Sequence, residues 1–199
     1  TTQIRLAIAL LALVLMIYYL NHNKVKYLIG AGVISGISIF SSSEFSVCAI
    51  ITIIIILMLN GYIYKMPVKS NIKLENIYIA CIMVVTLSII GFFICKGVNL
   101  QKIIDGIISY PYYAMLGQAA CSFPNLILAG GDVYQDFSFG TILIFAKVSL
   151  FYLPVIIYIW IAFYIYIKIT SYGWTKKELI ILLLLIFGVL SFRVAFGRT

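Results

Sequence analysis

The sequence predicts an all-α fold: a polytopic integral membrane protein of about six transmembrane helices, with a short interfacial helix in an outer loop. Three observations predict it. Hydrophobic residues make up 64% of the 199 and charged residues only 10%, too little polar surface to enclose a water-soluble core of that size. The apolar residues fall into six runs close to the roughly 20 that cross about 30 Å of hydrocarbon. The 14 Lys and Arg, against 6 Asp and Glu, gather in the short breaks between runs, where such cations report orientation rather than a nucleic-acid partner.

The runs are Ile4–Leu20, Tyr27–Phe40, Phe45–Tyr64, Ile77–Cys95, Ile142–Ile167 and Leu179–Ala195. The first carries Arg5 at its start and lacks a small-residue cleavage site at Tyr18-Tyr19-Leu20-Asn21, so it reads as a membrane helix and not a signal peptide. The second is short and carries Gly30, Gly32, Ser35 and Gly36. Small residues at that spacing let helix backbones approach closely, which places this run among neighbours. The third follows a tight turn, Ser41–Glu44, and the fourth ends at Cys95. The fifth contains Pro154 and, near its outer end, Lys147, read as a snorkelling lysine. The sixth leads into Phe192-Arg193-Val194-Ala195-Phe196-Gly197-Arg198-Thr199. Residues 1–199 are expected to form one transmembrane domain. The chain opens on Thr1 and stops at Thr199, so it is expected to be part of a longer protein.

The breaks alternate. Lys24 and Lys26, then Lys65, Lys69 and Lys73, then Lys168, Lys176 and Lys177 form one set. Glu44 and the long 96–141 stretch, with Lys96, Lys102, Asp105, Asp132 and Asp136, form the other. The positive-inside rule makes the first set cytoplasmic and the second extracytoplasmic. His22, alone in a cytoplasmic turn, reads as solvated. Cys48, Cys81, Cys95 and Cys121 show no metal-ligand spacing, and Cys in apolar runs reads as a small buried hydrophobe.

Chemistry is therefore expected in the outer loop 96–141, the one long segment that does not span. Asn99 suits a helix cap. Leu100, Ile103, Ile104, Ile107 and Ile108 recur at helical spacing opposite Gln101, Lys102, Asp105 and Ser109, which predicts an amphipathic helix lying in the interface or packed on the bundle. Pro111 is expected to break it. Tyr110, Tyr112 and Tyr113 fit either an aromatic belt or a groove for a lipid chain or sugar ring. Asp132 and Asp136 fit acid/base work, a divalent ion or solvated loop charge. No cofactor is otherwise called for. Glu44 lies in a turn too short to reach far into water. An ionised group near hydrocarbon costs about 2.5–3.5 kcal/mol on insertion scales, so Glu44 should face a polar cavity or a partner. Arg193 and Arg198 stand against the positive-inside trend and fit either a lipid phosphate or snorkelling to outer headgroups. No phosphate-binding loop, GxSxG, HExxH or Ser/His/Asp pattern is present, which excludes a soluble-type nucleotide enzyme.

Ser42-Ser43-Glu44-Phe45-Ser46 after a Gly-rich helix, Tyr110-Pro111 ahead of Gly117 and Phe123-Pro124, and Phe192–Arg198 closing a late helix together resemble the C-terminal part of bacterial polytopic membrane glycosyltransferases of the GT-C type. The resemblance implies transfer of a sugar from a polyprenyl-phosphate donor to a glycan, lipid or protein acceptor, outside the bacterial inner membrane. It places the main catalytic acid in a first outer loop not included in these residues, so the catalytic residue is unassigned. Substrate-binding roles would then fall to Glu44, Tyr110, Tyr112, Tyr113, Asp132, Asp136, Arg193 and Arg198. Two rivals stand beside it. A polysaccharide polymerase or ligase acting on a lipid pyrophosphate would share the outer loop and arginines. A non-enzymatic transporter subunit would need charged mid-helix positions and broken helices in two matched halves, which are absent here.

Overall fold

The computed structural model describes residues 2–41, 43–65, 68–116 and 138–196. Every element among them is helical: α1 (Thr2–His22), α2 (Val25–Ser41), α3 (Ser43–Ile63), α4 (Val68–Cys95), α5 (Leu100–Leu116), α6 (Phe139–Tyr172) and α7 (Lys176–Phe196). Three of these contain stretches long and apolar enough to cross a bilayer: Ser43–Ile63, Ile72–Cys95 and Phe139–Tyr172. Leu6–His22 and Val25–Ser41 are shorter apolar helices, and α7 is apolar from Leu179 to Phe192.

Local chemistry fixes the ends. At the close of α1, Asn23 takes the left-handed conformation at φ 53° and donates its N–H to the Tyr19 carbonyl at 2.7 Å; Asn tolerates that region better than other side chains. After α4, Gly97 (φ 82°) donates to the Ile94 carbonyl at 2.8 Å and Val98 to the Phe93 carbonyl at 3.0 Å. This is a Schellman closure, and it satisfies carbonyls that hydrocarbon would leave bare. Asn99 caps α5 as its sequence suggests, accepting the Gln101 N–H at 2.8 Å. Ser138 and Thr141 cap the start of α6 reciprocally, at 3.3 Å and 3.2 Å.

The central helix is α3, which packs against α1, α2, α4, α5 and α7. Its inward face (Phe45, Ala49, Ile53, Ile56 and Leu57) meets Leu13, Met16 and Leu20 of α1, Leu28 and Ala31 of α2, and Leu183 and Phe187 of α7 in one apolar core. The glycine reading of α2 holds, and contact with α4 is the reason. A Cβ added at Gly32 would stand 2.7 Å from the Cβ of Cys81, and one at Gly36 would stand 2.9 Å from that of Val85. Only hydrogen fits at either position. Beside them the Ser35 and Tyr78 hydroxyls share a hydrogen bond of 2.9 Å, both residues fully buried. The long helix α6 is peripheral, packing against α7, where Tyr158 crowds Gly188 and sits edge-on to Phe192 at 6.2 Å.

Three sequence expectations need adjustment. Pro111 does not break α5, which continues to Leu116; a proline inside a helix removes one backbone hydrogen bond and can be absorbed as a kink without ending it. Lys69 and Lys73 stand inside α4, and Lys168 stands inside α6, rather than in breaks. Long basic side chains extend their ammonium groups outward while the backbone stays helical. Glu44 is not in a turn but in the first turn of α3.

Candidate functional site

Contacts between distant elements sort the helix ends into two groups. The Lys176 ammonium donates to the Asn21 carbonyl at 3.4 Å, bringing the start of α7 to the end of α1. The rings of Phe40 and Phe93 lie 6.3 Å apart, bringing the close of α2 beside the close of α4. One end of the bundle therefore gathers Lys24, Lys26, Lys65, Lys73, Lys168, Lys176 and Lys177. The opposite end holds Glu44.

At that opposite end, Glu44 is 4% exposed. Its position in the first turn of α3 puts the carboxylate where backbone N–H groups have no helical acceptor and the helix dipole favours negative charge. Ser43 and Ser46 on the same turn are buried, as is Ser38 on α2. Ser38 returns its hydroxyl to the Ser35 carbonyl at 2.8 Å, and Ser41 returns its own to Ser38 at 3.0 Å. The last turns of α2 thus satisfy their own hydroxyls, and Ser43, Glu44 and Ser46 open α3 as a buried polar turn. This arrangement can accept hydrogen bonds from a ligand hydroxyl or hold a guanidinium.

Helix α5 packs on α3, α4 and α7 and so covers this end. Ile103 and Ile107 are half-buried, while Gln101, Lys102 and Asp105 are exposed, with the Gln101 amide donating to Asp105 at 3.1 Å. The expected apolar face turns toward the bundle only at Ile103 and Ile107, while Leu100, Ile104 and Ile108 are exposed. Tyr110, Tyr112 and Tyr113 fall on the later turns of α5, and Arg193 falls on the last turn of α7. Because α7 starts at the basic end and packs along α3, its last turn reaches the end that holds Glu44. Asp132, Asp136 and Arg198 lie outside the described residues.

Two features escaped the sequence reading. One is an aromatic and lysine ladder on α6, whose signal was the four-residue spacing of Trp160, Tyr164, Lys168 and Tyr172. The other is the cap of α7, signalled by Thr175-Lys176-Lys177-Glu178. There the Glu178 carboxylate accepts the Thr175 N–H at 3.2 Å and also the Thr175 hydroxyl, while the Lys177 N–H reaches the Thr175 hydroxyl oxygen at 3.3 Å. Glu178 precedes the apolar stretch that begins at Leu179. The Thr175 hydroxyl, ahead of its other partners, holds the carboxyl below the usual range.

Fold and site together define the class: a helical integral membrane protein with a buried carboxylate at one end and a basic platform at the other. No family model, curated protein or solved structure matches the chain.

Proposed function

We propose that this chain is a membrane glycosyltransferase domain of the GT-C type, moving a sugar from a polyprenyl-phosphate donor to an acceptor outside the bacterial plasma membrane. In this reading α1, α2, α3, α4, α6 and α7 are six spans, α5 lies in the outer interface, and the basic end faces the cytoplasm in accord with the positive-inside rule.

The observation that carries the reading is Glu44. A carboxylate 4% exposed, at the edge of an apolar core, is costly unless a polar site requires it. It lies at the end covered by α5 and reached by the turn bearing Arg193, where a lipid-linked donor would present its sugar. Arg193 and Arg198 would neutralise the departing phosphate, a charge that grows as the glycosidic bond breaks. Glu44 would orient those guanidinium groups or a sugar hydroxyl. Tyr110, Tyr112 and Tyr113, on the covering helix, would line the path of the lipid or sugar.

The test supplies radiolabelled polyprenyl-phosphate sugars to the full-length protein in membranes, comparing wild type with Arg198→Ala and Glu44→Gln. Label should reach an acceptor with wild type and fall by at least about 100-fold with Arg198→Ala, the scale of losing one charge-stabilising donor. Undiminished transfer by a folded Arg198→Ala protein would remove the arginine from its role. Absence of transfer with every donor, from a protein that binds the lipid carrier, would favour a polymerase or ligase.

A further inference from the structure

The basic end carries more than scattered lysines. Trp160, Tyr164, Lys168 and Tyr172 follow at four-residue spacing and share one face of α6. The Trp160 and Tyr164 rings stack at 6.3 Å. The Lys168 ammonium lies 5.9 Å from the centre of the Tyr164 ring and 4.9 Å from that of Tyr172. Across the α6–α7 turn, Lys176 bonds to the Asn21 carbonyl, which joins this ladder to the α1–α2 turn. There the rings of Tyr18, His22 and Tyr27 lie within 5.5–6.0 Å of one another, Tyr18 stacked on His22 and Tyr27 tilted to both, and the Lys26 ammonium lies 5.2 Å over Tyr27. Lys24, Lys26, Lys177, Tyr18 and Tyr172 are all exposed.

We infer that the surface between the α1–α2 and α6–α7 turns binds the headgroup of an anionic phospholipid, whose acyl chains lie along α6. Two independent features point there. The charge is strongly one-sided: Lys24, Lys26, Lys168, Lys176 and Lys177 surround the two turns, and Glu178, the carboxylate nearest in sequence, is bound by Thr175 and offsets only part of it, through its attraction to Lys168. Ring contacts pre-order Lys26 and Lys168, which lowers the entropy lost when an anion is bound. The ladder also runs from charge into apolar depth. Trp160 is 67% exposed and is flanked by exposed Ile156, Ile159 and Phe163. A ligand with a phosphate at one end and hydrocarbon at the other matches both halves, whereas an acidic peptide matches only the lysines. The surface lies at the opposite end from Glu44, so this inference is independent of the proposed transfer activity.

The chain has two tryptophans, and Trp174 sits in the α6–α7 turn itself. Trp160→Phe therefore leaves one reporter at the proposed headgroup. The full-length variant is reconstituted into phosphatidylcholine vesicles containing equal mole fractions of brominated phosphatidylglycerol or brominated phosphatidylcholine. Symmetric vesicles make the result independent of insertion direction. Quenching of Trp174 should show preference for phosphatidylglycerol of about fivefold for each lysine engaged. The preference should shrink toward unity in Lys168→Gln/Lys176→Gln and in the exposed pair Lys24→Gln/Lys26→Gln, and persist in Lys168→Arg. Equal quenching by the two lipids overturns the site. So does a preference unchanged in both glutamine pairs, and so does displacement of the brominated lipid by poly-aspartate, which would make the surface a protein-binding one.

Discussion

Gly32→Ala tests the packing of α2 on α4 with a sign as well as a size. The added Cβ would stand 2.7 Å from the Cys81 Cβ and 3.0 Å from the Tyr78 carbonyl oxygen. Neither neighbour is the far end of a flexible chain, so α4 must move away. Overpacking of this kind costs about 1–3 kcal/mol. The movement also stretches the Ser35–Tyr78 hydrogen bond at 2.9 Å, and an interhelical bond in a membrane protein averages about 0.6 kcal/mol. Against these stands the better helix propensity of alanine, at most about 1 kcal/mol. The net expectation is a loss of about 1–3 kcal/mol. Gly91, on the same pair of helices, has nothing within 4 Å of its added Cβ, so Gly91→Ala should be neutral or stabilising by up to about 1 kcal/mol. Reversible unfolding in mixed micelles, titrating the denaturing detergent, measures both. Adding Cys81→Gly to Gly32→Ala should restore part of the loss, because it removes the nearer of the two obstructing atoms, while the Tyr78 carbonyl remains. If Gly32→Ala unfolds at the same detergent fraction as Gly91→Ala, the close approach of α2 and α4 is wrong.

Other consequences are open to measurement. Thr175→Ala should lower stability by about 0.5–2 kcal/mol through loss of the α7 cap. Because the Glu178 carboxyl is held below its ordinary value, the cap's contribution should be fully present above the unfolded glutamate pKa and fade as pH falls through the lower folded one. The gap between wild type and Thr175→Ala should therefore narrow in acid to the part carried by the Lys177 N–H bond, and a gap that widens on acidification would contradict the assignment. Along α6, residues 147 and 168 stand about 31 Å apart at about 1.5 Å per residue, close to the hydrocarbon thickness. Single cysteines replacing Lys147 and Lys168 in a cysteine-free background should react with a membrane-impermeant maleimide from opposite faces, and one at Ile157 should not react. Labelling of Ile157→Cys as fast as the ends would show that α6 does not cross between those lysines.

What the sequence revealed, and what it hid, divides along physical lines. Hydropathy located the apolar helices because burial in lipid needs length and composition, and both are local properties. The role of Gly32 and Gly36 was readable for a similar reason, since a backbone without a Cβ has few uses inside a helix other than close contact. Helix ends were harder. Lys69, Lys73 and Lys168 look like breaks in an apolar run, yet backbone hydrogen bonds do not end at a lysine whose stem can reach water. The ends are set instead by Asn23, Gly97, Asn99, Ser138, Gly173 and Thr175, which supply left-handed turns or capping atoms. Glu44 shows both sides at once. Its cost beside hydrocarbon argues from sequence that it must face something polar, and the structure buries it to 4% exposure. Its place near the start of α3 had a signal that the reading as a tight turn passed over: Ser41 and Glu44 stand at the same Ser/Thr-x-x-Glu spacing as Thr175 and Glu178, the mark of a helix start. That difference bears on function. A carboxylate in a turn takes its direction from a short irregular segment, whereas one in the first turn of the central helix is carried by a backbone that packs against α1, α2, α5 and α7. A binding group needs that kind of fixed direction. The structure thus turns an argument about the cost of Glu44 into one about where it stands.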